Sequence, residues 1–171
     1  ESFLINPHGK DRKYLEPESL VRIEGDYKEM GKEPSRSIEL HREIYRLHPH
    51  INSIIIAHPP NIMAFVVSDQ MLDPKTIPES YILMRDIPKV EFGSIYMRPK
   101  EIAKIFTPSV PIVMVQNDCV IVAGDSMLNA YDRLEVAEYS AKAIIASKEL
   151  GEIVSINDSQ IEDIKQAFHL Q

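Results

Sequence analysis

The sequence has a single cysteine, Cys119, and fewer basic than acidic residues. It contains 19 Lys and Arg against 26 Asp and Glu, which gives a formal net charge of −7. One cysteine excludes a disulfide within the chain, and this predicts a reducing compartment. A nucleic-acid surface needs clustered Lys and Arg to neutralise phosphates, so the acidic balance argues against a nucleic-acid partner.

Long apolar runs are also missing from the sequence. No run approaches the roughly 18–20 residues that a membrane-spanning helix needs. Residues 1–6 carry no basic segment of the kind that begins a signal peptide. We therefore predict a cytoplasmic protein with no membrane partner. Its 171 residues fit one domain, and 44% hydrophobic with 26% charged residues is the balance of a globular protein.

The apolar pattern predicts mixed strands and helices. The run at residues 51–57 is nearly continuous and β-branched, which is typical of a strand covered on both faces. Residues 61–68 fit either a helix or a strand, and the preceding pair of prolines favours a helix. Residues 27–34 are polar and predicted to be a loop. We predict strands at residues 3–5, 20–23, 51–57, 81–84, 90–96, 110–116 and 120–122, and helices at residues 38–47, 61–68, 100–106, 125–150 and 156–170.

Several motifs follow one another in a recognisable order. They are Phe-Leu-Ile-Asn-Pro-His-Gly at residues 3–9, Gly-Lys-Glu-Pro-Ser at residues 31–35, His-Pro-His-Ile-Asn-Ser-Ile-Ile-Ile-Ala-His at residues 48–58, and Val-Met-Val-Gln-Asn-Asp-Cys-Val-Ile-Val-Ala-Gly at residues 113–124. In this order the sequence resembles the class II aldolase/adducin family. The resemblance implies an α/β fold, a three-layer sandwich with a central mixed, mainly antiparallel β-sheet flanked by helices. It covers residues 1–171 as a single domain, and we expect the family's N-terminal helix and Gly-Asn segment to be missing from it.

The resemblance also implies a zinc site and a catalytic acid. The family binds zinc through a His-x-His pair, because residues i and i+2 of a strand point to the same face. Here the pair reads Ile56 and His58, so His58 is the implied metal ligand. Asp118 stands where the family has a third histidine, and its carboxylate is a possible zinc ligand. Ser37 occupies the position of the catalytic glutamate, and Tyr81 lies near that of a catalytic tyrosine.

A substrate-phosphate site is implied at Gly9, Ser35 and Arg36. An arginine beside a serine at a helix N-terminus suits an anion, since N–H groups and a guanidinium both favour phosphate or carboxylate. The alternative for Arg36 is a solvated charge, and for His58 an ordinary histidine at a strand end. His41, in the helix at residues 38–47, is interpreted as structural.

Two functions follow from the resemblance. The first is that of a zinc-dependent aldolase of the L-fuculose-phosphate type, which reversibly cleaves a sugar phosphate to dihydroxyacetone phosphate and an aldehyde. The second is that of a non-catalytic family member, an oligomerising or ligand-binding module. The replacements at Ile56, Ser37 and Asp118 favour the second. A phosphorylated sugar or other anion is the expected ligand, and a homotetramer the expected assembly.

Overall fold

The computed structural model describes residues 2–170. Its N-terminal part is a small antiparallel sheet in which Ile5, Val21 and Ile23 are buried against Ile38. The sheet consists of β1 (Ser2–Ile5), β2 (Val21–Glu24) and β3 (Tyr27–Lys28), in the order β1-β2-β3. The short strand β3 lies in the segment predicted to be a loop, because Gly25, with φ +54, turns the chain back along β2.

A second, mixed sheet forms the centre of the molecule. It consists of β4 (Ser53–Ala57), β5 (Lys89–Val90), β6 (Ile112–Val115) and β7 (Cys119–Gly124), in the order β4-β7-β6-β5. The β4–β7 and β6–β7 pairs are antiparallel, and β5–β6 is parallel. Every residue of β6 and β7 is buried, as their continuous apolar runs predict for central strands.

Helices cover both faces of this sheet, which confirms the three-layer α/β sandwich. One face carries α1 (Ile38–Leu47), α4 (Ser94–Met97) and α5 (Pro99–Ala103). The other face carries α2 (Pro60–Val66), α3 (Pro78–Leu83) and α6 (Met127–Ser147). The last helix, α7 (Asp158–Phe168), packs against α3. Within residues 2–170, no helix combines the length and apolar character needed to cross a membrane.

The structure corrects two predicted strands. Residues 81–84 fall at the end of α3, which begins at Pro78 and has acidic Glu79 in its first turn, both favourable at a helix start. Residues 90–96 are strand only at Lys89–Val90. Gly93 has φ +76 and begins α4. Short apolar runs do not distinguish a helix from a strand. In these two segments the residues at the helix start, Pro78 and Gly93, indicate a helix.

A third correction concerns β4. The sequence predicted a strand covered on both sides, whereas β4 lies at the edge of the sheet and Ile54, Ile55 and Ile56 are only partly buried. A β-branched run indicates a strand but does not reveal its place in the sheet. The helix predicted at residues 61–68 is confirmed as α2. The longest helix, α6, is capped by Ser126, whose Oγ accepts from the amide of Asn129 at 3.2 Å.

Candidate functional site

The two segments predicted to bind phosphate lie side by side. The amide of Ser35 donates to the carbonyl of Asn6 at 2.8 Å, and the amide of His8 donates to the carbonyl of Glu33 at 2.8 Å. Gly9 follows with φ +73, a left-handed conformation that favours glycine and lets the turn close. Backbone hydrogen bonds therefore fix the Gly9 turn next to Ser35.

Two serine hydroxyls lie together at the start of α1. The Oγ atoms of Ser35 and Ser37 are 3.0 Å apart, and Ser37 is buried. The carbonyl of Ser37 lies 2.9 Å from Nδ1 of His41, whose ring is stacked on Phe3. Burial lowers the pKa of His41, although the hydrogen bond with Ser37 acts in the opposite direction. A neutral, packed histidine agrees with the structural role interpreted from the sequence.

Arg36 is exposed between these serines. Its guanidinium carbon lies 5.9 Å from the centre of the Tyr96 ring, within the range of a cation–π contact. The ring of Tyr96 is itself 51% exposed. Sequence reasoning missed this contact, since the two residues are far apart in the chain. In this conformation the charge of Arg36 is solvated and directed at an aromatic face.

The two predicted metal ligands lie at one end of the β4–β7 pair. Ala57, the last residue of β4, pairs with Val120, so His58 follows β4 at the same end at which Asp118 precedes β7. His58 is exposed and Asp118 is partly buried. Neither side chain has a hydrogen-bond partner among residues 2–170. The structure thus brings the two predicted ligands to the same strand end.

The neighbouring positions at this strand end are apolar or unreactive. Ile56 packs into the core on the face that α1 covers, together with Cys119. Burial and, to a smaller extent, the charge of Asp118 raise the pKa of the Cys119 thiol to about 12, and the charge of Arg12 acts in the opposite direction. The thiol is therefore protonated near neutral pH, which disfavours a role as a nucleophile. Cys119 packs in the core on this face of the sheet.

The residues at this end do not fit a zinc ion. Protein zinc sites use three or four ligands, and His58 and Asp118 are only two. Among residues 2–170 no group of three or more His, Cys, Asp or Glu is arranged to hold a metal. Ile56 offers no donor atom. Zinc binding by His58 and Asp118 stays a prediction. These two residues alone do not complete a zinc site.

Arg12 is a residue of this strand end that sequence reasoning missed. It begins a short 3₁₀ turn, Arg12–Tyr14, in which the carboxylate of Asp11 accepts from the amide of Lys13 at 2.9 Å. Its Nη1 donates to the carbonyl of Ile56 at 2.8 Å, so the guanidinium lies on the open edge of β4. A single arginine in a polar loop gives no signal in the sequence, because 44 residues separate it from its partner.

Tyr81 lies apart from both ends of the site. It is buried in α3, on the face of the sheet opposite to α1. Its hydroxyl contacts Lys165 of α7, whose pKa is raised first by its hydrogen bond to Glu162 and further by Tyr81. Within one chain the structure therefore does not bring Tyr81 to Ser37. A catalytic role for Tyr81 stays a prediction.

Fold and site together define a three-layer α/β domain. Its candidate ligand residues lie in the Gly9 and Ser35 segments and at the end of the β4–β7 pair, and Arg12, three residues after Gly9, contacts β4 at Ile56. The chain belongs to the family described as Class II Aldolase and Adducin N-terminal domain, which matches residues 1–145.

Curated relatives agree with this membership. The chain is similar to an L-fuculose phosphate aldolase of Methanococcus vannielii, with 27% identity over 142 residues, covering 81% of this chain and 75% of that protein. It is also similar to a methylthioribulose-1-phosphate dehydratase of Microcystis aeruginosa, with 26% identity over 164 residues, covering 85% and 80%.

A solved structure supports the fold. A structure described as L-fuculose 1-phosphate aldolase superposes with a TM-score of 0.82 at 21% identity, covering 98% of this chain and 80% of that one. At this identity the likeness shows the fold alone.

Proposed function

We propose that this protein binds a small phosphorylated sugar and does not, with its own residues, carry out the zinc-dependent cleavage. The contrast between the two ends of the site carries the proposal. The phosphate end is held by two backbone hydrogen bonds of 2.8 Å, which join the segment from Asn6 to His8 to the segment from Glu33 to Ser35. At the other end the donor set for zinc has two members, His58 and Asp118.

The ligand class follows from the phosphate end and from the relatives. The hydroxyls of Ser35 and Ser37 lie 3.0 Å apart at the start of a ten-residue helix. Hydroxyl donors and a helix N-terminus both favour an anionic oxygen. The two curated relatives are named for different reactions, and both names contain a sugar phosphate. We therefore propose a phosphorylated sugar as the ligand, without choosing between those reactions.

The enzyme hypothesis remains the second candidate because relatives named as L-fuculose phosphate aldolases match most of the chain. It would need a third zinc ligand and an acid or base at the position of Ser37. A serine hydroxyl has no useful basicity near neutral pH. A homotetrameric assembly and a cytoplasmic location stay predictions made from the resemblance and the composition.

Calorimetric titration tests the binding. We expect L-fuculose 1-phosphate to bind and L-fuculose to bind far more weakly. A Ser35→Ala, Ser37→Ala double variant should lose about 10-fold or more in affinity for the phosphate, since each hydroxyl contributes about one neutral hydrogen bond. It removes both members of the 3.0 Å hydroxyl pair, and the amide of Ser37 loses only the long, 3.4 Å hydrogen bond that it donates to Oγ of Ser35. Ser159→Ala, on exposed α7, is the control. Equal affinity for the two sugars would contradict the proposal.

A cleavage assay separates the two candidates. We expect no release of dihydroxyacetone phosphate from L-fuculose 1-phosphate at micromolar free zinc. The wild-type protein should also retain no stoichiometric zinc after dialysis. Zinc-dependent release that disappears in His58→Ala would establish the enzyme instead, whatever the binding titration gives.

A further inference from the structure

The strand end of the site contains a positive charge that the family resemblance does not account for. Arg12 reaches the carbonyl of Ile56, the residue at the position of the missing metal ligand, with an Nη1–O distance of 2.8 Å. Resting on the proposed function, we propose that Arg12 takes over this end of the site and binds the carboxylate of a phosphorylated hydroxy acid.

The hydrogen bond to Ile56 leaves most of the guanidinium available. An arginine has five N–H donors in a rigid planar fork that matches the two oxygens of a carboxylate. Nη1 of Arg12 uses one donor, and the others have no partner within residues 2–170. Arg12 is exposed, so a ligand can reach it from solvent. The Ile56 contact restricts the side chain in advance and so lowers the entropy lost on binding.

A guanidinium at this point also disfavours a divalent metal. Two positive charges a few ångströms apart repel each other, and this repulsion is stronger beside a partly dry surface than in water. Arg12 is bound to the carbonyl of Ile56, next to Ala57, and Ala57 pairs with Val120, two residues after Asp118. Arg12 and Asp118 therefore flank the same end of the β4–β7 pair. The family's divalent cation is replaced here by one fixed monovalent charge.

The other side chains at the strand end match a hydroxyl group. The carboxylate of Asp118 accepts hydrogen bonds, and the imidazole of His58 donates or accepts them. Asp118 would repel a second carboxylate but suits a hydroxyl on the neighbouring carbon. A 2-hydroxy acid places a carboxylate and a hydroxyl on adjacent carbons, which is the arrangement that Arg12 and Asp118 favour together.

The distance between the two ends suits a short ligand. Gly9 and Arg12 are three residues apart, so their Cα atoms are at most about 11 Å from each other. The nearby lysines are engaged elsewhere. Nζ of Lys10 donates to the hydroxyl of Ser19, and Nζ of Lys13 lies 5.7 Å from the centre of the Tyr14 ring. Arg12 is the cation of this loop that is directed at the strand.

Two nearly isosteric ligands test the proposal. 3-Phosphoglycerate has a phosphate, a hydroxyl and a carboxylate, whereas glycerol 3-phosphate has a hydroxymethyl group in place of the carboxylate. Both are titrated calorimetrically into wild type, Arg12→Gln and the control Lys13→Gln at one ionic strength. We expect wild type and Lys13→Gln to prefer 3-phosphoglycerate by about 10-fold or more, the effect of a charge-assisted hydrogen bond. Arg12→Gln should bind both ligands equally.

The outcomes distinguish this proposal from the function on which it rests. If both ligands bind wild type equally, or if Arg12→Gln keeps the preference, the role of Arg12 is wrong while phosphate binding stands. If neither ligand nor L-fuculose 1-phosphate binds, the phosphate end has failed and both proposals fall. Arg12→Lys retains the charge without the fork and should keep only part of the preference. Circular dichroism of each variant checks that the fold is intact.

Discussion

The two ends of the candidate site are held in different ways. At the phosphate end, backbone hydrogen bonds tie the Asn6 and His8 segment to Glu33 and Ser35. At the strand end, the side chains of His58 and Asp118 have no partner within residues 2–170. Segments joined by backbone hydrogen bonds keep their geometry when neighbouring side chains are replaced, whereas a metal centre depends on the identity of every ligand. This difference explains how a chain can retain the family's fold and one half of its site while the other half changes.

The largest effect should come from restoring the missing ligand. Ile56→His places two histidines at i and i+2 on one strand face, with Asp118 as a third donor. We expect zinc affinity to rise at least ~100-fold, because the loss of even an outer-shell partner costs 10–100-fold. Equilibrium dialysis against zinc measures this, and the added affinity should increase again in an Arg12→Gln background.

The control for this gain is Ile54→His. Ile54 lies on the same face, in the same cluster of apolar side chains, but it pairs with Ala123 rather than Ile121 and is further from the strand end. Its histidine should add no zinc affinity. If Ile54→His and Ile56→His bind zinc equally, the strand end is not a potential metal site. The contrast between a retained phosphate end and a lost metal site would then be wrong.

A smaller but still large effect is expected at Glu138, which supports the strand end from α6. Its carboxylate accepts from the amide of Asn61 at 3.0 Å, from Nδ2 of Asn61 at 2.6 Å and from the amide of Ile62 at 2.9 Å. These groups begin α2, three residues after His58. Glu138→Ala should lower the free energy of unfolding by about 2–3 kcal/mol, since it leaves these donors unpaired. Urea unfolding measures it.

Glu135→Ala is the matched control, because Glu135 is exposed on the same helix. It should change the free energy of unfolding by less than about 0.5 kcal/mol. Phosphate affinity should be the same in both variants, since Glu138 supports only the strand end. A Glu138→Ala variant as stable as Glu135→Ala would contradict the assigned role.

The phosphate end should be sensitive to acid through His41. Burial lowers the pKa of His41 in the folded state, while in the unfolded state it titrates near ~6.5. Below this pH the unfolded chain binds more protons, so the free energy of unfolding falls as pH falls. The slope for one group is at most about 1.4 kcal/mol per pH unit, so we expect a loss of about 1 kcal/mol by pH 5.5.

Urea unfolding between pH 5 and 8 measures this loss. His41→Leu should remove it, whereas His50→Gln, at an exposed histidine, should keep it. If the free energy of unfolding depends on pH in the same way in wild type and His41→Leu, His41 is not the cause of the loss of stability in acid.

The sequence predicted those parts of the fold that local patterns determine. The apolar runs at residues 110–116 and 120–122 predicted the strands β6 and β7, and the proline pair before residue 61 favoured the helix α2. The strands predicted at residues 81–84 and 90–96 were wrong, because a short apolar run fits the periodicity of a helix as well as that of a strand. Pro78 and Gly93 stand at the starts of the helices α3 and α4. The edge position of β4 depends on partners far away in the chain, which a local pattern does not encode.

The candidate site divides in the same way. The order of the motifs pointed to Gly9, Ser35, His58 and Asp118. In the structure Gly9 and Ser35 lie at the phosphate end, and His58 and Asp118 lie at the strand end. Arg12 had no motif, since its importance comes only from a tertiary contact with Ile56. Arginines in polar loops are common and usually solvated, so no property of the sequence around Arg12 separates it from Lys10 or Lys13.

The smallest effect is expected at Arg36, where the sequence and the structure point in different directions. The sequence suggested an anion contact, whereas the structure has the exposed guanidinium over the ring of Tyr96 at 5.9 Å. A cation–π contact at an exposed position contributes about 0.5–1 kcal/mol. Arg36→Ala should therefore lower the melting temperature slightly and reduce phosphate affinity less than about 3-fold, because the serines carry the contact. Tyr96→Leu should cause the same small loss of stability and leave phosphate affinity unchanged. A 10-fold loss of affinity in Arg36→Ala alone would mean that the guanidinium leaves Tyr96 and binds the anion. The phosphate end would then depend on the identity of Arg36, as the strand end depends on the identity of its ligands.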